Sequence, residues 1–304
     1  MIQKIEQAEV RRSGLVHKTI SVKGRDQHYM ETNNAETAEK TFIIFYGMTQ
    51  RMEETANLVN QLKLPSTYRV LVPEVLGHGR DVQRAAADQK LPSRLEMLEA
   101  LEHWMDSLDI HNAVALGFSM GGGALYHLQV RNPKRFERTI LISPAIEHVI
   151  DPNFVRDFQN GTKDHMAFET RESLKTFFRD MSPPQRSKKD PVPKFFLQGV
   201  VKLRQHALRT GTTDYYRKLF DELNRDRGMV EELGPTKDEI PENEARLILW
   251  PRQDCVCSYD RGKAFFADSK CKFLPIDDSG HGFRSDGEPL LSHCLEDIRG
   301  FLDI

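Results

Sequence analysis

The sequence predicts an α/β architecture: a mostly parallel, doubly wound sheet interrupted by an inserted helical segment. Three observations predict it. Short apolar runs recur along the chain, helical patterns fill the gaps between them, and one long stretch carries helical signals alone. The core is expected from residues 1–145 and 245–304, with the insertion at 146–244.

The apolar runs come first. They are TFIIFY (41–46), RVLVP (69–73), AVALG (113–117), TILIS (139–143), RLILW (246–250) and CKFLP (271–275). Each is too short for a helix and almost wholly apolar, as parallel strands are when both sheet faces are covered. Ahead of them, residues 15–23 and 27–31 read as a hairpin bridged by 24–26.

Helices are predicted over 53–64, 120–130, 258–267 and 288–302. Another begins at Ser93, where Ser93-Arg94-Leu95-Glu96 has the form of a capping box and Leu98, Leu101, Trp104, Met105 and Leu108 follow at helical spacing. Within the insertion, 194–209 is amphipathic. Pro183 and Pro184 precede it with a basic loop, and Pro235 and Pro241 punctuate the stretch that follows. No internal repeat or low-complexity tract interrupts this pattern.

Composition narrows the function. The 304 residues hold 43 Lys+Arg and 45 Asp+Glu, a net charge of −2, so no broad basic field for nucleic acid is implied. The first ten residues are polar and charged, without the apolar region of a secretory signal, and no run of 18 apolar residues exists. A cytoplasmic location is the expectation. Cys255, Cys257, Cys271 and Cys294 lack the CxxC pairs of a zinc site, and reduced, mostly buried thiols are expected.

The most informative stretch is LGFSMGGG at 116–123, one serine among glycines where a strand passes into a helix. A sharp turn there strains the serine backbone, lifts the hydroxyl clear of the sheet and aims the first N–H groups of the helix at a reacting oxygen. GxSxG arises by chance on the order of 0.1 times in a chain this long, so its strand-to-helix context carries the weight.

A serine hydroxyl needs a histidine to take its proton and a carboxylate to orient that histidine. Asp254 follows the strand at 246–250 through PRQD, and His281 follows the strand at 271–275 in DDSGHGF. Both fall on loops beyond the carboxyl ends of strands, where sites of open α/β sheets gather. Asp260, Asp277, Asp278 and Glu147 compete with Asp254 for the acid role. The flanking Gly280 and Gly282 are expected to let the histidine loop swing over the sheet edge.

In the order YGM, PEVLGHGRD, GFSMGG, WPRQD, SGHGF, the chain from Thr41 to Ile304 resembles the α/β-hydrolase family, specifically the serine hydrolases with a helical cap; the cap region itself carries no recognised motif. The resemblance implies Ser119 as nucleophile, Asp254 as acid and His281 as base, with the backbone N–H groups of Met48 and Met120 forming an oxyanion hole. It implies no cofactor or metal, and it makes His78 in GHGR part of a structural turn. One departure stands out: Tyr46-Gly47 replaces the usual His-Gly, so the oxyanion loop must be held by different hydrogen bonds.

A serine in the elbow argues against the epoxide hydrolases and haloalkane dehalogenases of this family, which attack with a carboxylate. A small-molecule ester or thioester is the expected substrate, cleaved through an acyl-serine. C–C bond hydrolysis and acyl transfer use the same machinery, a proton-transferring lyase is a further alternative, and a ligand-binding receptor on a hydrolase scaffold is the rival from another class. Aromatic residues of the insertion, among them Phe154, Phe158, Phe168, Phe177, Phe178, Phe195, Phe196, Tyr215, Tyr216 and Phe220, are expected chiefly to pack the cap, with some lining an apolar pocket. The basic run at 186–189 reads as a solvated loop, with an anionic carrier as the sharper alternative. Oligomeric state is not legible.

Overall fold

The structure is a computed structural model, and it describes residues 2–79, 82, 91–160, 171–184, 212–225, 245–285 and 288–304. Eight strands form one sheet: β1 (Leu15–Val22), β2 (Arg25–Thr32), β3 (Lys40–Phe45), β4 (Tyr68–Pro73), β5 (Ala113–Phe118), β6 (Phe136–Ile142), β7 (Arg246–Pro251) and β8 (Lys272–Ile276). Their order is β1-β2-β4-β3-β5-β6-β7-β8. β2 runs antiparallel to both β1 and β4, and every pairing from β4 to β8 is parallel. All six central runs and the predicted hairpin are therefore strands of one mixed, mostly parallel sheet.

The nearly unbroken apolarity of the central strands has a direct cause. Successive side chains leave opposite faces of a strand, and here each face is covered. Phe42 and Ile44 enter one core and Ile43 and Phe45 the other; Leu247 and Leu249 divide from Ile248 and Trp250 in the same way.

The helices between strands are α2 (Ala56–Leu62), α3 (Arg94–Ser107), α4 (Met120–Arg131), α8 (Tyr259–Phe265) and, at the carboxyl end, α9 (Leu290–His293) and α10 (Leu295–Leu302). The Ser93 capping box forms in full: Ser93 Oγ accepts from Glu96 N at 3.2 Å, and Glu96 Oε2 accepts from Ser93 N at 2.8 Å. Two predicted helices are not continuous α-helices over their expected lengths. The one at 53–64 opens as a 3₁₀ turn, Met52–Thr55, and stops where Lys63 enters the left-handed region at φ 50°. That at 288–302 is broken at Cys294 into α9 and α10.

The amino-terminal segment, read as a polar stretch, is helix α1 (Ile2–Ser13). It is tied to the body by Asn60 Nδ2, which donates to Glu9 Oε2 at 2.6 Å, and by packing of Val10 on the core. Partners distant in the chain support it, which local periodicity does not register.

Between β6 and β7 the described residues hold α5 (Pro152–Gln159), α6 (Arg171–Asp180) and α7 (Thr212–Arg225) and no sheet strand, only a single bridge from Ile150 to Cys257. The predicted helix at 194–209, the basic run at 186–189 and Phe168, Phe195 and Phe196 lie outside the described residues. No described helix is long and apolar enough to cross a membrane.

Candidate active site

Ser119 joins β5 to α4 at φ 53°, ψ −119°, a conformation that L-residues rarely adopt. The backbone around it is held from several sides: Ser119 N donates to Ile142 O at 3.0 Å, and Ser119 O accepts from Gly123 N at 2.9 Å and Ala145 N at 2.8 Å. The neighbouring glycines are required by space. A Cβ on Gly117 would lie 2.6 Å from Gly121 O, and one on Gly121 would lie 2.2 Å from Phe45 O, closer than real Cβ contacts come.

The three sequence-predicted side chains converge. His281 Nε2 is 2.9 Å from Ser119 Oγ, and His281 Nδ1 is 2.9 and 3.1 Å from the two oxygens of Asp254. All three residues are buried. Asp254 Oδ1 also accepts from the backbone N–H groups of Val256 and Cys257, each at 2.8 Å, which pins the carboxylate toward the imidazole. Phe118 covers the histidine, ring centroids 5.4 Å apart.

The competing acids are elsewhere. Asp260, Asp277 and Asp278 are exposed, and Asp277 accepts from Arg252 Nε at 2.6 Å. Glu147 is buried against Arg94 and His127 and does not reach His281; its oxygens lie 3.2 and 3.3 Å from His127 Nε2. Burial, with the nearby Arg94 and Arg131 charges, depresses His127 to a pKa of about 3, so its imidazole is neutral.

Met120 opens α4, where the first backbone N–H groups have no intrahelical acceptor. Met48 follows β3, and both methionines line the cavity that contains Ser119. The Tyr46-Gly47 departure has a structural counterpart. Gly47 N donates to Gln50 Oε1 at 2.7 Å, and the buried Tyr46 hydroxyl accepts from Val75 N at 3.1 Å. His78 is fully buried, its ring 5.4 Å from Tyr216 and its Nδ1 3.3 Å from Leu76 O.

Sequence reasoning missed Ser143. It is fully buried at the end of β6, with φ 46°, and its hydroxyl donates to Asp254 Oδ2 while lying 3.2 Å from His281 Nδ1. Only the pairing of β6 with β7 brings it there, and no motif around a lone strand-end serine announces that.

Asp254, Cys257 and His281 place their potential ligand atoms within 4.8 Å of one another, the one such group among the described residues. A metal ion there would need the Cys257 thiolate and would take His281 Nδ1 from Asp254. Burial pushes the Cys257 thiol well up, which favours its neutral form. All four cysteines are free thiols; Cys257 and Cys294 are buried, whereas Cys255 and Cys271 are half-buried, more exposed than expected.

The cavity beside Ser119 measures about 410 Å³. Phe154, Phe177, Phe178 and Phe220, from the helices between β6 and β7, line it, while Phe158, Tyr215 and Tyr216 pack within the fold. The histidine loop is tied to the segment between β6 and β7 rather than left to swing: Gly282 N donates to Met181 O at 3.0 Å, and Phe178 meets Phe283 at 4.9 Å between centroids.

A mostly parallel sheet with a strained serine at the end of a central strand defines an α/β-hydrolase fold. The sequence model of the alpha/beta hydrolase family matches residues 51–291, and the chain belongs to that family. It is 29% identical over 80 residues to carboxylesterase YbfK of Bacillus subtilis, covering 26% of each chain. The chain aligns with less than half the length of the curated relatives it matches. Among solved structures, a membrane phospholipase A described as a bacterial virulence factor superposes with a TM-score of 0.76 at 15% identity, covering 99% of this chain and 90% of the other. The meta-cleavage product hydrolase CumD of Pseudomonas fluorescens gives 0.68 at 17% identity, with 94% and 97% covered.

Proposed function

We propose that the protein is a serine hydrolase that cleaves a carboxylic ester of a small to medium acyl or aromatic substrate. The observation that carries this reading is the continuous contact from Ser119 Oγ through His281 to Asp254, 2.9 Å on either side of the imidazole. His281 Nε2 takes the hydroxyl proton as Ser119 Oγ attacks the ester carbonyl. Asp254 holds the proton on Nδ1 and stabilises the imidazolium that forms. Met48 N–H and Met120 N–H face the developing oxyanion. The tetrahedral adduct collapses by breaking the bond to the alkoxy oxygen, which leaves with the proton from Nε2. Water, deprotonated by His281, then hydrolyses the acyl-serine and restores the hydroxyl.

Residues 146–244 act as a cap over this site in the same reading. The aromatic side chains that α5, α6 and α7 contribute to the cavity support an apolar substrate arm.

A fluorophosphonate probe with mass spectrometry tests the proposal. Covalent labelling at Ser119, absent in Ser119→Ala, is the expected result. A folded wild-type protein that takes up no label and turns over no p-nitrophenyl ester would be a binding protein on this scaffold.

A further inference from the structure

A second buried polar cluster lies where the parallel strands begin, at the opposite edge of the sheet from Ser119. Arg246 is the first residue of β7, roughly 16 Å along that strand from its carboxyl end. Side chains alternate between the faces of a strand, so Arg246 shares a face with Ile248 and Trp250 and enters the same core. It is only 1% exposed, and its Nε and Nη2 have no hydrogen-bond partner.

Strand pairing and helix packing place the groups around it. Thr139 faces Arg246 across the β6–β7 ladder, and Thr139 Oγ1 donates to Gln129 Oε1 at 3.3 Å. That contact takes the acceptor end of a fully buried amide and leaves Gln129 Nε2, like the guanidinium, a donor without a partner. Tyr126 stands three residues before Gln129 on the same face of α4, within electrostatic reach of Arg246. Burial pushes its phenol up, so it carries no negative charge to offer. On the β8 side Cys271 precedes the residue that pairs with Leu247, and its Sγ already lies 2.9 Å from Ser269 Oγ.

Among the described residues no carboxylate pairs with Arg246. Burial lowers its pKa, yet a guanidinium stays protonated at neutral pH even in a core. A buried charge is costly unless it is paired, and a water molecule would accept these hydrogen bonds without neutralising the charge. The unmatched atoms of Arg246 and Gln129 are all donors, a set that fits a negatively charged acceptor. Close cover favours a small one: Tyr126 packs edge-on against Phe265 and Phe266, centroids 5.7 and 6.1 Å away.

We propose that Arg246 and Gln129 hold a buried halide ion, chloride in ordinary solution, which neutralises the guanidinium and ties β7 to α4. The site is structural and stands apart from the chemistry at Ser119.

Thermal unfolding of the full chain tests this, with sodium chloride compared with sodium gluconate at equal ionic strength. Chloride is expected to raise Tm by about 2–4 °C in a saturating manner, and the gain should vanish in Arg246→Met. Crystals grown in sodium bromide are expected to show an anomalous peak within hydrogen-bonding reach of Arg246 Nη2 and Gln129 Nε2. A Tm that ignores the choice of anion overturns the proposal, and a bromide peak without that shift then reports binding at crystal concentration only. A chloride gain that survives in folded Arg246→Met also overturns it, as does water in place of bromide between the two side chains. The wild-type measurements need no variant, so a misfolded Arg246→Met leaves the test standing.

Discussion

Ser143 donates its hydroxyl to Asp254 Oδ2 at the point where β6 and β7 end side by side. The strands set the two residues together, since Ser143 N donates to Leu249 O at 3.0 Å, five residues before Asp254. Asp254 thus accepts from Ser143, from two backbone N–H groups and from His281, which leaves its carboxylate little freedom to rotate.

Ser143→Ala is expected to lower kcat about tenfold with KM nearly unchanged, because it removes one hydrogen bond that orients the acid and none that holds substrate. Steady-state kinetics on a p-nitrophenyl ester reads this directly. An unchanged kcat would mean that the backbone donors alone position Asp254.

Ser119→Ala and His281→Ala are each expected to abolish nearly all turnover while the fold persists. Asp254→Asn should cost roughly 10⁴-fold in kcat by stabilising the wrong imidazole tautomer. Glu147→Gln is the control for the acid. A dead Glu147→Gln beside a fully active Asp254→Asn would reverse the assignment.

Gly121→Ala puts a methyl group against the Phe45 carbonyl, 2.2 Å from its ideal position to the oxygen. The nearest atoms are backbone of Phe45 and Tyr46, at the end of β3, and cannot rotate away. We expect a loss of about 1–3 kcal/mol in urea unfolding, together with a damaged elbow. Stability equal to wild type would show that β3 and α4 can separate at this point.

The neutral, buried His127 predicts a pH dependence of stability. The unfolded chain protonates this histidine below pH of about 6.5, whereas the folded chain holds it neutral down to a pKa of about 3. Protons then favour unfolding, so stability falls as pH drops through that window and is retained above it. Between pH 6.5 and 5 the loss from this group is about 2 kcal/mol. Comparing urea unfolding of wild type and His127→Leu at pH 7.5 and 5.0 isolates it, and equal losses in the two proteins would refute the assignment.

Sequence alone determined the strands and the elbow, because both are written in near neighbours. Each central run is apolar throughout since both faces of a parallel sheet are covered, and the Gly117–Ser119–Gly121 spacing reflects backbone collisions within one turn. The loops bearing Asp254 and His281 were also legible, since each follows a strand and sites gather at that edge. Only the tertiary structure decided what touches what between distant segments. Glu147 and Asp254 both follow strands of this sheet, yet the fold gives Glu147 to Arg94 and His127 and gives Asp254 to His281. Ser143 gains its partner through strand pairing, and α1 is supported by Asn60 far along the chain. Hydrogen bonds between remote residues leave no periodicity and no short motif, so packing alone assigns them.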